Sequence, residues 1–295
     1  VKPASFDYHR PDTVDAAVGL LAEFGEEAKI LAGGQSLVPM LSMRLAYFDH
    51  LIDISRLPEL HGVEARGDQL WIGAGTTEAV VGADAQVRQS VPLLNLATPF
   101  VGHFQIRNRG TLGGSIAHAD AAGEYPAVAL ALDAVMEVLS PRGRREIAAA
   151  DFFAGLWQTT MEPDEVLTGV RFPVWNGRSG FAVREFARRH GDFAIAGAVV
   201  GVRLDDHDRV SRCAIGLLGL GATPTRATAT ETAVTGLPLH EVIPEEIGRA
   251  AMSELDDIPS DLQGSASYRS RVGAAMTARA WTQAAQQPSL GASYA

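Results

Sequence analysis

The chain has 295 residues, 46% hydrophobic and 20% charged, with a formal net charge of −10. That length and apolar content support a sizeable core, while the acidic balance repels phosphate backbones and anionic lipid, which argues against nucleic acid or a membrane surface as the main partner. No apolar run reaches the ~18 residues of a spanning helix, and VKPASFDYHRPDTV shows no basic segment followed by an apolar one, so a cytoplasmic protein is expected.

Ser5 to His9 reads as a short strand. Asp12 and Thr13 then offer caps for a helix with Val14, Ala17, Val18, Leu21 and Phe24 on one face and Gly25 as its stop. Ala28 to Leu31 is a short strand running into Ala32-Gly33-Gly34-Gln35-Ser36, and LVPMLSMRL is helical in pattern, with Pro39 tolerable in its first turn. His50 to Ile54 is the next strand, and Gly62 to Gly75 reads as a hairpin about Arg66-Gly67-Asp68. Thr76 or Thr77 caps a helix through Val81, and VPLLNLATPFVGHF reads as a further helical stretch. The segment IRNRGTLGGS is dense in small and polar residues and reads as a loop; PAVALALD restores helical character. Ala134 to Leu139 and Arg145 to Ala148 form a hairpin about Arg142-Gly143.

The texture changes near Pro173 to Arg178, where a domain boundary is expected at about residue 175. Beyond it lie long strands in FAVREFARR, AIAGAVVGVRL and RVSRCAIGLLGL, and then helices around Glu231, Glu245 to Leu255 and Tyr268 to Ala285. Residues 288–295 read as a frayed tail. The single cysteine, Cys213, sits in a strand-like apolar run and behaves as a small buried hydrophobe. One thiol makes no internal disulfide and holds no iron–sulfur cluster, which needs four protein ligands.

Two diglycine segments carry the chemistry, AGGQS at 32–36 and TLGGS at 111–115. Glycine pairs let a ligand approach main-chain N–H groups closely, and successive N–H groups in a turn make a concave anion site. Together the two segments can clamp a diphosphate; taken singly, each also fits an ordinary turn. Neither matches GxGxxG, and no P-loop, GxSxG or HExxH motif occurs. His118 and Asp120 stand two apart with no third ligand nearby, which reads as loop packing and not as a zinc site.

Set together, FDYHRP, AGGQSLVPMLSMRLAYFDHLIDI, IRNRGTLGGSIAHADAAGEYPAVALALDA and RRHGDFAIA occur in an order and spacing that resembles the flavin-binding medium subunit of the xanthine oxidase family of molybdenum hydroxylases. The resemblance runs from about residue 3 to about residue 285. It implies an α+β chain: a vanillyl-alcohol-oxidase-type FAD-binding domain over 1–175, with subdomains 1–56 and 57–175, then a smaller α+β domain of antiparallel sheet and helices over 176–287. It also implies non-covalent FAD, its diphosphate wrapped by Ala32, Gly33, Gly34, Gln35 and Ser36 with Leu37 adjacent, and contacted by Thr111, Gly114 and Ser115. By the same resemblance Val101, Glu124, Leu167 and Arg184 are cofactor contacts, and Phe193 lies against the isoalloxazine. Glu124 is longer than the commoner Asp, and Phe193 lacks the hydroxyl of the commoner Tyr. Arg188 and Arg189 read as a solvated strand face.

The family places a molybdenum–pterin centre on a large partner subunit and two [2Fe-2S] clusters on a small one. The resemblance therefore implies an electron-transfer subunit, working in a dimer of heterotrimers and passing electrons to an external acceptor, with any membrane association made through the complex. Two alternatives stand beside it: a self-sufficient flavoenzyme of the same fold, and a non-catalytic scaffold that has lost its flavin. SIAHADAAGEYP looks more like the N-heterocycle and aldehyde oxidisers than the CO oxidisers, which carry Asn after the second diglycine.

Overall fold

Thr13 ends an extended segment and accepts a hydrogen bond from the Ala16 N–H at 3.1 Å, which starts helix α1 (Val14–Phe24) just after strand β1 (Asp7–His9). The helix buries Val14, Ala17, Val18 and Leu21 and stops at Gly25. Strand β2 (Ala28–Leu31), helix α2 (Leu37–Ser42) and strand β3 (His50–Asp53) complete a parallel sheet of order β1-β3-β2 in this computed structural model, which describes residues 2–289. Parallel neighbours require a crossover, and AGGQS is the turn that opens the second one, beyond the C-terminal end of β2. Such strand ends are where open parallel sheets gather ligands.

The next sheet has five antiparallel strands: β4 (Val63–Arg66), β5 (Gln69–Gly73), β6 (Val135–Ser140), β7 (Gly143–Ala148) and β10 (Val166–Pro173), in the order β4-β5-β10-β6-β7. A run of short helices interrupts it between β5 and β6: α3 (Glu78–Ala83), α4 (Ala85–Ser90), α5 (Pro92–Ala97), α6 (Phe104–Arg107), α7 (Leu112–His118) and α8 (Glu124–Ala131). Their apolar faces meet the sheet, with Leu93, Leu94, Leu112, Ile116 and Tyr125 in one cluster with Leu70, Ile72, Val138 and Val170. The stretch VPLLNLATPFVGHF is not one helix: α5 gives way to a 3-10 turn at Thr98–Phe100, where Pro99 has no N–H for the ladder. Helix α8 begins at Glu124, two residues ahead of the expected stretch. Helix α9 (Ala149–Phe152) and a small hairpin, β8 (Phe153–Gly155) with β9 (Gln158–Thr159), lead back to β10.

The remaining strands, β11 (Ser179–Phe186), β12 (Ala196–Leu204), β13 (Val210–Leu218) and β14 (Thr225–Arg226), form an antiparallel sheet in that order. One face carries Val183, Val199, Ala214 and Leu218 into the preceding core. The other carries Val200, Val202 and Ile215 against helices α11 (Pro244–Ser253) and α12 (Ala266–Ser289), the latter through Trp281; α10 (Thr228–Val234) also packs on β13. Covered on both sides, β12 is apolar along nearly its whole length. Cys213 is buried in this second cluster, and burial pushes its thiol well up, leaving it unreactive. Strand β11 stops at Phe186, so Arg188 and Arg189 lie in the turn beyond it and not on a strand face. Arg188 donates to the Leu262 carbonyl at 2.8 Å, and Arg189 pairs with Asp192 at 3.3 Å. Of the expected tail, Pro288 and Ser289 continue α12, and 290–295 lie outside the described residues.

Helix α12 does more than cover the sheet. Buried Arg269 donates to the carbonyls of Ile195 at 2.6 Å and Gly219 at 3.0 Å, and its other nitrogen pairs with Asp261 at 2.7 Å. Arg269→Ala strands two buried carbonyls, and urea unfolding is expected to show a loss of about 2–4 kcal/mol. A loss within the range of an ordinary surface change, about 0.5 kcal/mol, would mean that this anchor holds nothing.

Candidate functional site

Beyond β2, Gly34 turns the chain with φ +72°, a conformation L side chains rarely adopt, and the Val38 N–H closes the turn on the Gly34 carbonyl at 3.0 Å. The Gln35 amide donates to the Gly33 carbonyl at 3.0 Å. The N–H groups of Gly33, Gly34, Gln35 and Ser36 have no hydrogen-bond partner among the described residues. Four consecutive unpaired donors in a partly exposed turn are what an anion requires.

The second diglycine is not a loop. TLGGS forms the start of α7, with Thr111 as the cap accepting the Gly114 N–H at 3.0 Å. The sequence looked irregular because its glycines serve packing and not flexibility. A Cβ on Gly113 would stand 2.4 Å from the Ala74 Cβ, so only glycine lets α7 sit on the end of β5, where the Gly113 N–H reaches the Ala74 carbonyl at 2.9 Å.

The two segments abut. A Cβ on Gly33 would lie 2.2 Å from the Arg109 carbonyl oxygen and 2.7 Å from the Gly110 Cα, which is backbone-to-backbone contact. On the same seam, a Cβ on Gly114 would lie 3.8 Å from the Ala32 Cβ. Ala32 to Leu37 and Thr111 to Ser115 thus form one cradle, all but Gly33, Thr111, Leu112 and Gly113 half-exposed along it.

The other expected contacts differ in burial. Val101 is buried, its carbonyl taken by Arg107 at 2.9 Å, and Leu167 is buried in the core cluster that holds Leu112 and Ile116. Glu124 is buried at the first turn of α8. Arg184 is exposed on β11, and Phe193 is 58% exposed in the turn before β12, so it is no part of the core. That turn is held at Gly191, where a Cβ would come within 2.7 Å of the His103 ring. No contact among the described residues joins Arg184 or Phe193 to the diglycine seam.

One group that the sequence does not announce lies beneath the cradle. Glu78 starts α3, its N–H bonded to the Gly110 carbonyl at 2.9 Å, and its carboxyl packs on the Gly110 backbone opposite Gly33. It is only 4% exposed, and its Oε2 has no hydrogen-bond partner among the described residues. Burial, helped by the charge of Glu124 and opposed by Arg107, pushes its pKa up to about 8. Burial likewise lifts Glu124 to about 7, and burial followed by the charge of Glu124 lifts Glu185 to about 8. A Glu in the first turn of a helix ordinarily reads as a solvated dipole partner, so only the tertiary packing reveals it.

Each of these carboxyls keeps its proton in the folded chain at a pH where the unfolded chain has lost it. For Glu78 that window runs from 4.5 to about 8, and folding becomes less favourable as pH rises through it. Glu78→Gln keeps the shape without titrating. It is expected to gain stability over the wild type progressively across the window, levelling off above it, in urea titrations at about pH 5, 7 and 9. Equal pH slopes for the two proteins would rule out a neutral Glu78.

Residues 4–175 match the FAD binding domain in molybdopterin dehydrogenase, and residues 181–284 match the CO dehydrogenase flavoprotein C-terminal domain. The chain belongs to the FAD-binding subunits of the molybdenum hydroxylases. It is 40% identical to the 6-hydroxypseudooxynicotine dehydrogenase complex subunit alpha of Paenarthrobacter nicotinovorans, over 96% of each chain. It is 36% identical to the carbon monoxide dehydrogenase medium chain of Hydrogenophaga pseudoflava, over 94% of this chain and 96% of that one. Among solved structures, the Cu,Mo-CO dehydrogenase superposes with a TM-score of 0.93 at 34% identity, covering 97% of this chain and 100% of the other. Quinoline 2-oxidoreductase from Pseudomonas putida 86 gives 0.91 at 33% identity, covering 97% and 99%.

As a molybdenum-hydroxylase flavoprotein, the chain is the FAD subunit of an oxidoreductase whose substrate is oxidised on a partner subunit. The α+β fold expected from the motifs is the fold observed. The residues present fit FAD: the first turn leaves four consecutive N–H groups unpaired at a seam where Gly33 admits no side chain. No helix among the described residues is long and apolar enough to cross a membrane.

Proposed function

We propose that this chain relays electrons within a molybdenum hydroxylase, holding FAD in the Ala32–Leu37 and Thr111–Ser115 cradle. The observation that carries this reading is the contact of the two diglycine segments, Gly33 on Gly110 and Gly114 beside Ala32, with the first turn's N–H groups left unpaired. When bound, FAD supplies the redox chemistry, receiving electrons from iron–sulfur clusters on a partner and releasing them to an external acceptor. The turn N–H groups of Gly33 to Ser36 hold the diphosphate, and Ser115 and Thr111 line its other side. Neutral Glu78 keeps negative charge away from that diphosphate, which a buried carboxylate would repel, and burial moves Glu124 in the same direction. Val101, Leu167, Arg184 and Phe193 complete the cofactor's surroundings in this reading, Phe193 against the isoalloxazine.

The reading divides the chain into an FAD-binding domain at 1–175 and a C-terminal domain at 176–287, a division supported by the end of the second sheet at Pro173 and the start of the third at Ser179. The partners are a large molybdenum-binding subunit and a small subunit with two [2Fe-2S] clusters, in a cytoplasmic dimer of heterotrimers. Relatives named as a medium chain or as subunit alpha of a dehydrogenase complex support this assembly.

Gly114→Val places a branched side chain on the diphosphate side of the seam. The folded variant is expected to lose nearly all of its flavin absorbance relative to protein. Wild-type flavin content in a variant with an unchanged circular dichroism spectrum would refute the cradle. Expressed alone and loaded with FAD, the chain is expected to show no substrate hydroxylation, whereas the native preparation carries a larger and a smaller chain with it. Turnover by the isolated chain would overturn the relay role.

A further inference from the structure

The tip of the β8–β9 hairpin presents Trp157 in an unusual way. The residue has φ +55°, a left-handed conformation that is a real outlier for a bulky side chain, yet it is 53% exposed. Burial therefore does not offset the backbone strain. The ring is nonetheless fixed: its Nε1 donates to the Asp120 Oδ2 at 3.0 Å, and it lies nearly parallel to His118, with centroids 6.2 Å apart and 14° between planes. Asp120 is itself fixed, its Oδ1 accepting the Ala122 N–H at 2.8 Å. A strained, exposed and immobilised indole is a pre-organised surface for something flat.

Its position says what. His118 ends α7, the helix that begins in the cradle, and it follows Gly114 and Ser115 by four and three residues, so all three share one face of the helix. One helical turn, about 5 Å, separates the cradle from the histidine on which Trp157 stacks. Burial lowers the pKa of His118, opposed by Asp120 and helped by Lys29, which lies in the strand that feeds the first diglycine turn and so acts on the histidine from the other segment. The aromatic pair thus stands one helical turn from the cradle, on the same face of α7.

We infer that Trp157, positioned by His118 and Asp120, is the stacking surface for a planar heteroaromatic ring at the end of the FAD cradle. The inference rests on the FAD reading above and adds a residue to it. The ring has two sources: FAD itself, or a planar acceptor reaching the cofactor. The test uses the full-length chain, stripped of FAD and titrated with it by flavin fluorescence, as wild type, Trp157→Ala and Trp157→Phe. Alongside, the FAD-loaded, chemically reduced proteins are mixed with NAD, with a naphthoquinone and with ferricyanide, which has no ring to stack.

If the ring belongs to FAD, Trp157→Ala weakens FAD binding about tenfold and Trp157→Phe restores most of it, as a lost aromatic stack requires. If it belongs to the acceptor, FAD affinity holds, while reoxidation by NAD or the quinone slows about tenfold and reoxidation by ferricyanide is unchanged. Affinity and all three rates within about twofold of wild type, well below the loss of such a stack, would overturn the inference. Failure of the wild type to bind FAD would instead overturn the reading on which it rests.

Discussion

Everything about the candidate site depends on two stretches of backbone coming closer than side chains permit. Gly33 meets the Arg109–Gly110 peptide, and Gly113 meets Ala74, at distances where even a methyl group would overlap a carbonyl oxygen or a neighbouring Cβ. The first contact ties the turn of the N-terminal parallel sheet to the helices inserted in the second sheet, and the second fixes one of those helices on the end of β5, so the cradle is a seam between two separately built layers. The N–H groups of Gly33 to Ser36 have no hydrogen-bond partner among the described residues. A ligand with two linked anionic groups satisfies donors that the fold itself cannot.

The seam carries an electrostatic condition. The Glu78 carboxyl packs on Gly110, Glu124 is buried close enough to raise its pKa, and half-buried Glu185 feels Glu124 in turn. Desolvation eases the conflict by raising their pKa values, Glu78 and Glu185 to about 8 and Glu124 to about 7. The arrangement is sensitive to the surrounding packing, since any loosening that admits water would also restore the charge.

Much of this was legible in the sequence, and the reasons are local. Thr13 as a cap, the apolar face of α1, the β4–β5 hairpin and the long apolar strands β12 and β13 are each set by residues adjacent in the chain. The diglycine pairs were informative only together and in the order of the surrounding motifs, since either one alone also fits an ordinary turn. What could not be read was tertiary. TLGGS looks like a loop until Ala74 is placed beneath Gly113, and Glu78 looks like a solvated first-turn acid until Gly110 covers it. Pro99 dividing a helical stretch was available from the chemistry of proline, yet the apolar pattern on either side masked it. Trp157 gave only the signal of a lone aromatic in a turn, with nothing nearby in the chain to say that His118 would meet it.

The anchor at Arg269 has a consequence for how the molecule is assembled in time. The carbonyl of Ile195 lies two residues beyond Phe193, and its partner sits on the last helix of the described chain. Domains emerge and fold from the N-terminus during synthesis, so the glycine seam can close while the turn bearing Phe193 still lacks its tether. Translation thus closes the glycine seam first and fixes the turn bearing Phe193 last, so the two parts of the chain are set one after the other.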